Sequence, residues 1–94
     1  MNDLCAIKVI VHGRVQGVFF RATTRTVARE LELSGTVRNL PDWKKVEVHA
    51  EGRKAQIENL IEFLKTGPPG AKVEKVDVKW LEYTGGYTGF NVFY

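Results

Sequence analysis

The chain is poor in the residue types that reactive chemistry most often uses. Its 94 residues include one cysteine, Cys5, one serine, Ser34, and two histidines, His12 and His49. A lone cysteine closes no internal disulfide, so stability rests on packing and nothing calls for an oxidising compartment. Cys5, His12 and His49 show no metal-ligand spacing, and both histidines fall at outward strand positions. Ser34 lacks the Gly-x-Ser-x-Gly setting of a nucleophilic serine. Cys5 is in phase with Ile7 and reads as a small buried hydrophobe. The carboxylates divide between helix surfaces and an open sheet face, with no pair suggested for acid–base work. Long hydrophobic runs are missing too. Lys8 interrupts the N-terminal apolar stretch, which is neither a signal peptide nor a membrane span, so a cytoplasmic location is expected. A dense basic cluster is also lacking. Net charge is +3, and Lys44-Lys45 and Arg53-Lys54 are the only adjacent basic pairs. That balance suits a small anionic ligand better than a nucleic acid.

What is present describes one domain, residues 1–94, with an ordinary soluble composition of 44% apolar and 27% charged residues. Ile7, Val9 and Val11 alternate with Lys8, Ile10 and His12 as a strand does. Thr24, Val27, Ala28 and Leu31 then fall at i, i+3, i+4 and i+7, which predicts a helix over 22–33. Gly35 opens a second strand, about 36–40. Pro41-Asp42-Trp43-Lys44 predicts a turn, with proline at its first central position. Val46, Val48 and Ala50 mark a third strand over 45–51. Ile57, Leu60, Ile61 and Leu64 repeat the helical stripe, ended by Gly67-Pro68-Pro69-Gly70. Val76, Val78 and Trp80 mark a fourth strand, and Phe90, Val92 and Tyr94 a short fifth.

The order predicts an α+β, ferredoxin-like βαββαβ sandwich. Its antiparallel sheet would carry two helices on one face and a short C-terminal fifth strand. The other face would be open, so Lys8, His12, Glu47, His49, Glu51, Lys75, Asp77 and Lys79 are expected to be solvated there.

The segment from Gly13 to Arg21, Gly-Arg-Val-Gln-Gly-Val-Phe-Phe-Arg, joins the first strand to the first helix. Such a glycine-bearing turn aims backbone N–H groups at one point, and the helix dipole adds positive potential there. Arg21 adds a full charge on a planar fork of donors. The segment reads as an anion cradle, though not the nucleotide P-loop, which needs Gly-Lys-Ser/Thr after a longer spacing. Spacing alone serves a plain turn with a surface arginine equally well. Asn39 is unusual inside a strand. It fits either the start of the Pro41-Asp42 turn or an amide that orients a water beside the cradle.

The chemistry narrows with these parts. An anion pocket without a general acid handles alkoxide leaving groups badly. A mixed carboxylic–phosphoric anhydride expels a carboxylate, whose conjugate acid has a pKa of about 4 and needs no proton at neutral pH. Positioning and charge stabilisation can then carry phosphoryl transfer to water.

Gly13 to Arg21, Gly35-Thr-Val-Arg-Asn39, Val46-Glu47, Gly52, Gly67-Pro68-Pro69 and Gly89-Phe90 together resemble the acylphosphatase family over almost the whole chain. The resemblance implies hydrolysis of acyl phosphates to a carboxylate and inorganic phosphate, without metal or cofactor. It implies that Arg21 and the loop amides of Val15, Gln16, Gly17, Val18, Phe19 and Phe20 bind the phosphoryl group, and that Asn39 orients the attacking water. Its partners would be a small acyl phosphate and inorganic phosphate, the latter as product and competitive inhibitor, with no nucleic acid or membrane and a monomeric chain.

Two departures stand out. Thr36 replaces the aromatic usual after Gly35. The stretch Asp42-Trp43-Lys44-Lys45 is one residue longer than usual and lacks a glycine. A changed turn type is expected, with Trp43 covering the apolar gap left by Thr36. Two rival functions share the fold. An RNA-binding module would stack bases on aromatics of the first and third strands, where this chain has Lys8, Ile10, His12, Glu47, His49 and Glu51. A carbamoyl-phosphate-handling domain of a larger enzyme is the other; a chain complete at 94 residues argues against it.

Overall fold

The computed structural model describes residues 3–93. Seven elements follow the predicted order: β1 (Leu4–Arg14), α1 (Phe20–Glu30), β2 (Ser34–Asn39), β3 (Lys45–Arg53), α2 (Lys54–Thr66), β4 (Lys72–Leu81) and β5 (Phe90–Phe93). Tyr94, expected in the last strand, lies outside the described residues. The sheet order is β4-β1-β3-β2-β5. The first four strands pair antiparallel, and β5 enters parallel to β2, which makes the sheet mixed.

Strand parity puts one set of side chains against the helices. Ile7, Val9 and Val11 pair with Ala50, Val48 and Val46, and Val37 lies opposite Val48 and Val92. Together with Phe20, Ala28, Ile57, Leu60, Leu64 and Phe90 they form the core. The sequence-read stripes of both helices supply its other layer, since Thr24, Ala28, Ile57, Leu60 and Leu64 are buried.

β1 outruns its apolar repeat because it is paired on both sides, from Leu4 with Arg53 to Arg14 with Lys72. Helix α1 starts at Phe20, two residues early, and ends at Glu30, short of the predicted Leu33. The amides of Leu33 and Glu32 bond back to the carbonyls of Ala28 and Arg29, the paired closure that ends a helix at a left-handed residue, here Glu32. At Gly35 the reason for glycine is contact: a Cβ would stand 1.8 Å from the His49 carbonyl oxygen.

The open face is only partly open. Lys75, Asp77 and Lys79 are exposed as predicted, but Glu47 and Glu51 are buried. The segment after β4 folds back over Glu51. Its carboxylate accepts bonds from the Thr84 amide, the Thr84 hydroxyl (2.8 Å) and the Gly85 amide. Parity told which way Glu51 points but not that a distant Thr84-Gly85-Gly86 loop would supply three donors to it. Glu47 is matched differently, by Arg38 at 2.8 Å, His49 at 3.5 Å and Lys8 at 3.8 Å. Among the described residues no helix is long and apolar enough to cross a membrane.

Candidate active site

The turn from β1 into α1 is built on left-handed backbone. Gly17 has φ +75° and Phe19, the residue that precedes the helix, has φ 59°. Alternating left-handed residues turn successive amides toward one side and form anion-binding concavities. A bulky aromatic resists this conformation by about 1–2 kcal/mol, and such strain collects at functional sites. The Phe19 side chain is 83% exposed, so burial of its ring does not offset that strain. The amides of residues 16–20 donate to no backbone carbonyl among the described residues. The first turn of α1 contains no acidic residue, so nothing opposes the positive end of its dipole.

Arg21, the second residue of α1, is half-buried. Its Nη1 donates to the Phe93 carbonyl at 3.2 Å. About two turns further along, Arg29 Nε donates to the Phe90 carbonyl at 3.1 Å within a parallel tether of α1 to β5. The C-terminal strand thus orients the helix that carries Arg21.

Asn39 is the last residue of β2 and shares the helix-facing parity of Val37. Its Oδ1 is buried and has no hydrogen-bond partner among the described residues. An unpaired buried acceptor of this kind costs about 1–3 kcal/mol unless a water or ligand meets it.

These parts line one cleft of about 310 Å³, walled by Val15, Gly17, Phe19, Phe20, Arg21 and Ala22 from the turn and helix, with Arg25, Asn39 and Val92. Arg21 and Asn39 are therefore brought together as predicted. The side chains of Val15 and Phe20 are buried in the core, so from these residues only the backbone is offered to a ligand. The side chain of Gln16 turns the other way. Its Nε2 donates to the carbonyls of Leu40 (2.9 Å) and Lys45 (3.0 Å) and fastens the turn to the β2–β3 hairpin. Val18 stands over Gly70, in the loop after α2. Arg25 escaped the sequence reading, although its i+4 spacing from Arg21 was the signal. The role of β5 as the anchor of Arg21 carried no local signal at all.

The hairpin differs from expectation in one respect. Pro41 occupies the first central position of a turn closed from the Trp43 amide to the Leu40 carbonyl. Trp43 does not cover Thr36: it is 79% exposed, and Thr36 lies in the middle of β2, paired with His49 and Asn91. Four strand residues, roughly 13 Å, separate Thr36 from the turn, too far for the indole to reach back.

No His, Cys, Asp or Glu lines the cleft, and among the described residues no three such side chains gather as a metal site. Cys5 is half-buried at the far end of β1, and burial pushes its thiol above the ordinary range.

The family model described as Acylphosphatase matches residues 7–92. A curated acylphosphatase from Roseiflexus sp. is 43% identical over 94 residues, 100% of both chains. One from Acaryochloris marina is 46% identical over 92 residues, covering 98% of this chain and 97% of that one. The solved structure of an acylphosphatase from Coxiella burnetii has a TM-score of 0.91 and 41% identity, covering 97% of this chain and 94% of its own.

Proposed function

The chain belongs to the acylphosphatase family, and on that premise we propose how its cleft hydrolyses acyl phosphates. The activity is that of a hydrolase acting on the carboxyl–phosphate bond. The amides of Val15, Gln16, Gly17, Val18, Phe19 and Phe20 hold the phosphoryl oxygens, together with the fork of Arg21. Arg25, on the same wall, adds positive potential.

The observation that carries the reading is Asn39 Oδ1, buried and without a partner among the described residues, in the cleft that Arg21 also lines. A nucleophilic water needs an acceptor for one of its protons so that a lone pair faces phosphorus, and Oδ1 is such an acceptor. Its oxygen forms the new P–O bond. The bond to the acyl oxygen breaks, and the carboxylate leaves with that electron pair. The proton passes to the phosphate product. No general acid is needed, because the leaving carboxylate is stable unprotonated at neutral pH.

The site works without metal: its donors are amides and guanidinium groups, which attract anions and repel cations. A cleft of about 310 Å³ suits a small acyl phosphate, and a monomeric cytoplasmic enzyme is part of the same proposal. A phosphate-release assay on acetyl phosphate with and without chelator tests this reading. Equal rates, and competition by millimolar inorganic phosphate, are expected. Loss of activity in chelator with recovery on adding Mg²⁺ would overturn the metal-free site.

A further inference from the structure

A second depression, of about 260 Å³, adjoins the first. It shares Arg21 and Asn39 with the phosphate cleft and is completed by Gln16, Leu40, Pro41 and Trp43. The two reacting-site side chains are thus a common wall. On one side lie the amides of the turn and the start of α1. On the other lies a floor that is apolar apart from Gln16.

Trp43 is the unusual member. Its φ is 66°, a conformation that a bulky residue enters only at a cost. Its indole is 79% exposed, so the strain is not offset by packing. Asparagine or glycine would suit this backbone better. Non-glycine residues held in this way concentrate at ligand clamps.

The hairpin that carries Trp43 is also firmly placed. Gln16 bonds to the carbonyls of Leu40 and Lys45 on either side of the turn. Asp42 accepts from the Lys44 amide at 3.2 Å and pairs with Lys45 Nζ at 3.2 Å. The hairpin therefore places Trp43 on the wall of a depression that also includes Arg21 and Asn39.

We propose that the depression of Leu40, Pro41 and Trp43 receives the acyl part of the substrate, so that this enzyme favours acyl phosphates with a flat apolar acyl group. The inference rests on the phosphoryl group occupying the cleft of Arg21 and Asn39. With phosphorus there, the acyl carbon extends across the shared wall. An aromatic acyl group then lies against the indole in an offset or edge-to-face contact.

The test compares benzoyl phosphate with acetyl phosphate on the wild type, Trp43→Gly and Trp43→Phe. Glycine fits the left-handed backbone, so Trp43→Gly is expected to fold, and Trp43→Phe keeps an aromatic ring. Wild type should show the lower KM for benzoyl phosphate. Trp43→Gly should reduce the benzoyl-over-acetyl ratio of kcat/KM about fivefold to tenfold, as the loss of one aromatic contact implies. The change should lie in KM, with the Ki of inorganic phosphate unaltered, and Trp43→Phe should restore most of the ratio. An unchanged ratio, or an equal fall on both substrates, would overturn the acyl site while leaving the phosphate cleft intact. No turnover of either substrate by wild type would overturn the phosphatase reading itself, and this inference with it.

Discussion

The side-chain amide of Gln16 donates a 2.9 Å hydrogen bond to the carbonyl of Leu40, the residue that follows Asn39. One bond thus couples the turn between β1 and α1 to the end of the strand that carries Asn39. Its second bond, to Lys45, spans the hairpin. Gln16→Ala is expected to cost about 1 kcal/mol of stability, the net value of an ordinary hydrogen bond. It should also lower kcat severalfold, because Asn39 is then less firmly placed against Arg21. Denaturant midpoints with kcat on acetyl phosphate check this. A lower midpoint with unchanged kcat would make the bond purely structural.

Arg21→Lys keeps the charge and loses the planar fork. At a bidentate phosphate site that change is not conservative. The bond from Arg21 Nη1 to the Phe93 carbonyl also fixes the guanidinium on the cleft wall, which a flexible lysine does not reproduce. A loss of about 2–4 kcal/mol of transition-state stabilisation is expected, together with a raised Ki for inorganic phosphate. Kinetics close to wild type in a folded variant would reduce Arg21 to a surface residue.

Asn39→Ala separates chemistry from folding. Asn39 Oδ1 accepts no bond from the described residues, so its removal breaks none of theirs at that atom. Stability should change little, and kcat should fall at least about tenfold, or 1.4 kcal/mol. The Ki of inorganic phosphate should stay near wild type, since the water contact belongs to the chemical step. A lowered midpoint with unaltered kcat would return Asn39 to a turn residue.

Glu47 makes stability depend on pH. Burial raises its pKa, but the Arg38 hydrogen bond and the charges of Arg38, His49 and Lys8 outweigh this and hold the carboxyl below its ordinary value. A carboxylate lowered in the folded state binds fewer protons there than in the unfolded chain. Its contribution is full above the unfolded pKa, about 4.3, and is lost as pH falls through the folded value. Denaturant midpoints should therefore drop in the acid range. In Arg38→Ala stability at neutral pH should fall by about 1 kcal/mol, discounted because Arg38 is half exposed, and the acid dependence of the midpoint should flatten. An identical pH profile in the variant would show that the pair adds nothing.

Periodicity placed every element but β2, which Gly35 marked, because alternation along β1 and β3 and the i, i+3, i+4, i+7 stripes of the helices report burial directly. The ends were less legible. α1 starts at Phe20 and β1 reaches Arg14 because a left-handed turn and cross-strand pairing extend them, and neither follows apolar spacing. The Gly13–Arg21 motif and the asparagine of β2 were legible as a site through their resemblance to a known family. Arg25 shared a visible helical spacing with Arg21 and was passed over.

The sequence by itself determined the fold class, the glycine-bearing turn between β1 and α1 and the residue types at the candidate site. These are local properties of strand parity, helical stripe and backbone permissiveness. Tertiary structure alone decided the rest. It put Asn39 and Arg21 on the walls of one cleft, anchored Arg21 to the Phe93 carbonyl, buried Glu51 beneath Thr84 and Gly85, and left Trp43 on the neighbouring depression rather than over Thr36. Each of these joins segments far apart in the chain. Such contacts are fixed by sheet order and pairing register, which no single stretch of sequence encodes.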